Sequence, residues 1–117
     1  MNTIDVGKDF CPRLANRNNL QGDGKHTAVE FREKYLKELD SHRAWSNSQP
    51  FVELDFSGVT KIGPAFANEA FAHFLQYTTR NQIMNKILFT NISPIKKIII
   101  EFELTKTPEE EDQHEIK

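Results

Sequence analysis

Apolar residues recur along this chain at two periods, and the switching between them lays out the fold. Val52, Leu54 and Phe56 occupy every second position, with Glu53 and Asp55 between them. That is the pattern of a strand with one buried face. Farther on, Phe66, Ala67, Ala70, Phe71, Phe74 and Leu75 recur at helical steps and form an inward stripe. Between the two runs, Ser57-Gly58 reads as a turn, with Gly58 tolerating positive φ. Val59–Ile62 reads as a short extended piece. Gly63-Pro64 starts the helix, since proline suits the first helical position. The stripe predicts a helix from Pro64 to the region Thr79–Asn81.

The rest of the chain repeats this alternation. Thr3–Val6 places Ile4 and Val6 on one face, a short strand that ends at Gly7. Lys8–His26 holds no sustained period and gathers Pro12, Gly22 and Gly24, so it reads as a long loop with room for a brief strand near Asp9–Cys11. Thr27 and Glu30 have capping-box spacing: the hydroxyl accepts a first-turn N–H, and the carboxylate reaches back to the Thr27 N–H. Phe31, Tyr35 and Leu39, with Ala28 and Leu36, form one face of a helix that fades near His42–Trp45. Ser46–Pro50 is a linker. Ile87, Leu88 and Phe89 mark a buried strand over Lys86–Thr90. Ser93 is an N-cap with Pro94 behind it, and Ile95, Ile98, Ile99 and Phe102 repeat at helical spacing. The β-rich run Ile98–Phe102 leaves a strand as the alternative there. The order β, long loop, α, β, α, β, α predicts one small α/β domain, with a mixed or parallel sheet covered on one or both faces.

Length and charge narrow the picture. At 117 residues the chain supports one core, assigned to residues 1–104. Residues 105–117 are polar and acidic and read as a disordered tail. The net charge of −2 favours neither nucleic acid nor an anionic membrane. Locally, residues 8–25 carry +2 and residues 101–117 carry −5. Cys11 is the sole cysteine, so no intramolecular disulfide forms; with no signal-like apolar run, a cytoplasmic protein is expected.

No catalytic constellation stands out. Asp55 at a strand end reads as a turn-capping carboxylate rather than an acid-base group. His26, His42, His73 and His114 are scattered, without metal-ligand spacing. Cys11 reads as a small semi-buried residue. Gly22-Asp23-Gly24-Lys25-His26-Thr27 lacks the spacing of a phosphate loop. Arg13 and Arg17 are a candidate bidentate grip on an anion, although ion pairs to Asp9, Asp23 or Glu33 are the simpler expectation. The phenylalanines at helical spacing point to a core, not to a base-stacking platform.

Three stretches carry a family resemblance: IDVGKDFCPR (Ile4–Arg13), GKHTAVEFREKYL (Gly24–Leu36) and VELDFSGVTKIGPAFANEAF (Val52–Phe71). Together they make the chain, from Ile4 to Phe102, resemble the STAS-like family of small bacterial proteins of unassigned function, relatives of the STAS domains that include anti-sigma factor antagonists. Family members carry an acidic-aliphatic strand, a D-x-x-G-V turn, then Gly followed by Ser-Ser-Phe and a helix rich in Glu, Ala and Phe. Here those positions read Asp55, Ser57-Gly58-Val59, Gly63, Pro64-Ala65-Phe66 and Glu69-Ala70-Phe71.

In antagonist STAS domains, a serine at this helix start is phosphorylated by a kinase of the histidine-kinase-like ATPase fold, and the phosphate blocks docking. The matching positions, Pro64 and Ala65, bear no hydroxyl, which removes that switch. The resemblance implies a non-enzymatic regulatory interaction module of a bacterium or phage, cytoplasmic and without cofactor, metal, nucleic acid or membrane. Its implied partner is a protein, with a histidine-kinase-like ATPase as the candidate. The expected contact residues are Ser57, Thr60, Gly63, Pro64, Ala65 and Asn68, with the Arg13/Arg17 loop as a candidate addition to the same surface. The competing expectation is a small-ligand or nucleotide sensor using Arg13, Arg17 and Lys25 at the mouth of the Thr27 helix, since STAS relatives include ligand-binding members.

Overall fold

The computed structural model describes residues 1–17 and 26–106. Strands β1 (Asn2–Asp5), β3 (Val52–Asp55) and β5 (Ile87–Thr90) form a parallel sheet in the order β1-β3-β5. A second parallel pair joins β2 (Arg13–Leu14) to β4 (Lys61–Ile62). The extended piece at Val59–Ile62 is therefore paired. The brief strand in the long loop lies at Arg13–Leu14 and not at Asp9–Cys11, because Val6–Phe10 winds into a π-type turn closed by Cys11 N–H on the Val6 carbonyl at 2.9 Å.

Register decides which side chains enter the core. Leu54 lies between Ile4 and Phe89, and Val52 between Asn2 and Ile87. Val52, Leu54 and Ile87 are buried. The other sheet face carries Thr3, Glu53 and Leu88, then Asp5, Asp55 and Thr90. There the Glu53 carboxylate accepts from Thr3 Oγ1 at 3.3 Å and from Thr90 Oγ1 at 2.9 Å. That face is polar and half-open, so the sheet is covered on one side.

Gly7 and Gly58 bring the ends of β1 and β3 together. A Cβ on Gly7 would fall 2.7 Å from Gly58 Cα and closer still to its carbonyl, so only glycine fits at position 7. Gly58 itself has no positive φ, and space for Gly7 replaces the conformational role expected of it.

The helices are shorter than the apolar stripes suggest. Helix α1 spans Ala28–Tyr35 and continues as two 3₁₀ turns, Lys37–Leu39 and Arg43–Trp45. Thr27 Oγ1 accepts from Glu30 N at 3.1 Å as expected. The Glu30 carboxylate accepts from His26 N at 3.1 Å instead of Thr27 N, because His26 sits in the left-handed region with φ 58°. The helix expected from Pro64 to the region Thr79–Asn81 divides into α2 (Pro64–Ala70) and a 3₁₀ segment (Ala72–Gln76), and the unassigned stretch beyond it forms α3 (Arg80–Lys86). Helix α3 has its own cap, with Thr79 Oγ1 accepting from Gln82 N at 3.3 Å. The inward stripe holds: Phe66, Ala67, Ala70, Phe71 and Phe74 are all buried. Around them Phe31 meets Phe66 and Phe71 with ring centroids 5.8 and 6.1 Å apart. Each such phenylalanine contributes roughly 1.5–3 kcal/mol of burial free energy.

Helix α4 spans Pro94–Glu103, so the helical alternative holds over the strand. Its cap is Ser93, whose Oγ accepts from Lys96 N at 3.3 Å. The helix packs on α2 and beside β4, burying Ile100 and, at its end, Leu104. Of the apolar spacing that marks it, Ile99 packs against the core and the other three positions do not. Ile95, Ile98 and Phe102 are 73, 61 and 59% exposed. The fold continues past residue 104, with Thr105 N on the Phe102 carbonyl at 3.0 Å and Lys106 N on the Glu103 carbonyl at 3.1 Å. Of the acidic tail read over 105–117, residues 107–117 lie outside the described residues.

Candidate functional site

In open parallel sheets, partners and ligands gather beyond the carboxyl ends of the strands. Here that end presents the loop from Asp55 into α2. Asp55 Oδ1 accepts from Ser57 N at 2.9 Å and from Asn91 Nδ2 at 3.1 Å. The Ser57 backbone N–H first, and the Asn91 amide next, hold its carboxyl below the usual range. This is the turn-capping role expected of Asp55. Asn91 reaches it from a left-handed backbone, φ 51°, just after β5.

The turn leads into a lip. Ser57, Gly58, Thr60 and Pro64 are exposed, while Gly63, Ala65 and Asn68 are half-buried. Directly beneath, Phe66 is fully buried. The Thr60 hydroxyl donates to the Pro12 carbonyl at 3.2 Å, and Thr60 N donates to the same oxygen at 2.8 Å. Gly63 N donates to the Leu14 carbonyl at 2.8 Å. These bonds carry the Arg13 loop onto the lip, and Arg13 stands in register beside Lys61. The Arg13 loop thus joins the turn in one surface, as the candidate addition has it. Arg13 and Lys61 are exposed and join no ion pair among the described residues. The pairing of Arg13 or Arg17 with Asp9 or Glu33 does not occur, and Asp23 lies outside the described residues.

The mouth of α1 is different. Ala28 N donates to the Asn16 carbonyl at 2.8 Å, Val29 N to the Arg17 carbonyl at 3.2 Å and Glu30 N to Thr27 Oγ1. The first-turn donors that an anion would need are taken. Arg17 is half-buried, and Lys25 lies outside the described residues. Cys11 is half-buried, its thiol donating to the Arg13 carbonyl at 3.3 Å.

One polar cluster escaped the sequence reading. Asp40 Oδ1 accepts from Tyr77 Oη at 2.7 Å and lies 2.9 Å from His73 Nε2. The Tyr77 hydroxyl, followed by His73, lowers the Asp40 carboxyl, while the Asp40 carboxylate pushes the Tyr77 phenol up. His42 meets the Tyr77 ring edge-on at 4.9 Å. The remaining bonds of His73 go to Gln76, so no nucleophile engages this pair. It clasps the 3₁₀ segment after α2 to the turn after α1. Nearby, Arg32 Nη1 binds both the carboxylate and the carbonyl of Glu69 at 2.9 Å. With Asp40 and His73 separated by 33 positions, no spacing rule could have paired them. Among the described residues, no three His, Cys, Asp or Glu side chains converge on a metal position, and no helix is long and apolar enough to cross a membrane.

Residues 27–97 match the family model of the STAS-like domain of unknown function (DUF4325). The chain belongs to this family. The match runs from the α1 cap into α4 and includes the whole lip of the STAS-like domain. It is narrower than the resemblance from Ile4 to Phe102, leaving IDVGKDFCPR outside. Searches of curated proteins and of solved structures return no match.

Proposed function

We propose that this STAS-like domain is a cytoplasmic protein-docking module with a regulatory role and no catalytic activity. One observation carries the reading: Ile95, Ile98 and Phe102 stand exposed on a helix that packs against α2 and beside β4. Contiguous exposed apolar side chains on a small domain mark interaction surfaces. Beside this stripe, the lip contributes Ser57, Thr60, Pro64, Ala65 and Asn68. Arg13, Lys61 and Lys97 are exposed cations outside the described ion pairs. The surface therefore suits a protein segment with apolar anchors flanked by carboxylates. The family resemblance supplies a candidate, an ATPase of the histidine-kinase-like fold. Pro64 and Ala65 make this docking independent of phosphoryl transfer at the helix start. The sensor reading has weaker support, since the α1 donors are engaged within the chain.

Titration calorimetry with a purified ATPase of the histidine-kinase-like fold tests the proposal. Saturable binding is expected, weakened by about tenfold or more in Ile98→Asp and in Asn68→Arg. Both variants should keep the wild-type circular dichroism. Absence of binding, or wild-type affinity in both variants, overturns the reading. Sedimentation showing self-association that Ile98→Asp abolishes would assign the stripe to a second copy instead.

A further inference from the structure

Lys86, the last residue of α3, is 4% exposed. Its Nζ donates to Asn47 Oδ1 at 2.9 Å and to the Gln49 carbonyl at 3.0 Å. Both acceptors are neutral, and among the described residues no carboxylate lies within 4.0 Å of this nitrogen. The Trp45 ring, 6.0 Å away, adds only a weak cation–π attraction. An ammonium has three donors, and its burial among neutral dipoles is unfavourable until an anion joins it.

The same lysine lines a cavity of about 300 Å³. Phe51 and Lys86, which precede the first residues of β3 and β5, place it at the amino-terminal end of the sheet. Leu39, Ala44, Pro50 and Phe51 form an apolar wall, and Glu38 stands exposed at the rim. The volume is at the small end of ligand pockets. An uncompensated cation beside an apolar wall is the chemistry that selects an anionic head on a short apolar body.

We propose that this cavity binds a small amphipathic carboxylate, its head on Lys86 and its body against Leu39, Ala44, Pro50 and Phe51. The carboxylate supplies a third acceptor, and the charge that Asn47 and Gln49 lack. The Glu38 carboxylate opposes entry of a like charge and tunes the affinity downward. The cavity and the docking lip sit at opposite ends of four-residue strands, roughly 10 Å apart. Failure of one reading leaves the other intact.

Amide NMR titrations of the full chain with octanoate, octanol and octylamine test the site. Octanoate should give saturable shifts at Ala44 and Phe51, while octanol binds about tenfold more weakly and octylamine does not bind. Lys86→Met should weaken octanoate by about tenfold. Ala44→Leu fills the cavity, leaves the Lys86 bonds in place and should abolish the shifts; it decides the matter should Lys86→Met not fold. Glu38→Gln should tighten octanoate by about twofold. Equal binding of octanol and octanoate, affinity retained in Ala44→Leu, or no saturation by octanoate overturns the proposal.

Discussion

Helices α2 and α4 carry similar apolar periodicities and put them to opposite use. In α2 and its 3₁₀ extension, Phe66, Phe71 and Phe74 are fully buried. In α4, Ile95, Ile98 and Phe102 face outward, and the contact with α2 is made through the other side of the helix. A hydrophobic stripe shows that a helix is amphipathic; its neighbours decide whether that stripe is filled by the same chain. Helix α2 touches α1 and α4, so its stripe has partners on two sides. Helix α4 follows the edge strand β5 and has room for one such contact. Its surplus apolar face is the surface on which the docking proposal rests.

Paired truncations give the largest test of this contrast. Phe71→Ala should cost about 3–5 kcal/mol, because it opens a cavity among Phe31, Phe89 and the rest of the core. Phe102→Ala should change stability by about 0.5 kcal/mol or less, since its ring is largely in water. Urea unfolding of both variants reads the difference. Similar costs for the two would mean that the α4 stripe is packed in solution and that the contrast is false.

How much of this arrangement could be read from the chain follows from the range of each interaction. Strand β3, the Thr27 cap, the buried phenylalanines of α2 and the Ser93 cap rest on contacts within a few residues, and period and spacing found them. Helix α3 has no counterpart in the apolar pattern, although Thr79 and Gln82 show the same cap signature as Thr27 and Glu30. Its two apolar residues, Ile83 and Met84, are too few to set a helical period. The lip residues were legible as a turn and a helix start. The Arg13 loop was only a candidate addition to them, because the pairings that join it, Pro12–Thr60 and Arg13–Lys61, are tertiary. The outward stripe of α4 was hidden for the same reason: periodicity carries no sign.

A smaller effect, at the lip end of the sheet, asks whether the α2 side is as tightly specified as its burial suggests. Gly7→Ala should cost about 1–3 kcal/mol by driving a methyl into the Gly58 backbone and displacing the loop into β4 and α2. Gly58→Ala should be milder, since its Cβ would meet Gly7 Cα at 3.4 Å. Thermal melts of the two variants should separate them in that order. Equal melting would show that the ends of β1 and β3 yield freely, and that the lip is softer than the core beneath it.

The smallest effect concerns the polar anchors on either side of the comparison. Helix α4 ends in a local Glu103–Lys106 pair at 3.1 Å, whereas the 3₁₀ extension of α2 is tied to a remote turn through Asp40. Asp40 is held below its ordinary range chiefly by the Tyr77 hydroxyl. A carboxyl lowered in the folded state contributes stability above its unfolded pKa, and that contribution is lost as pH falls through the folded value. The loss therefore lies below about pH 4, and neutral pH retains all of it. Tyr77→Phe should raise the Asp40 pKa, followed by carboxyl NMR, and should bring acid unfolding to a higher pH. Asp40→Asn should lower stability slightly at neutral pH and flatten the acid limb, because the titrating group is gone. If Asp40 titrates identically in wild type and Tyr77→Phe, the clasp does not hold in solution. The α2 extension would then depend, like α4, on apolar contact alone.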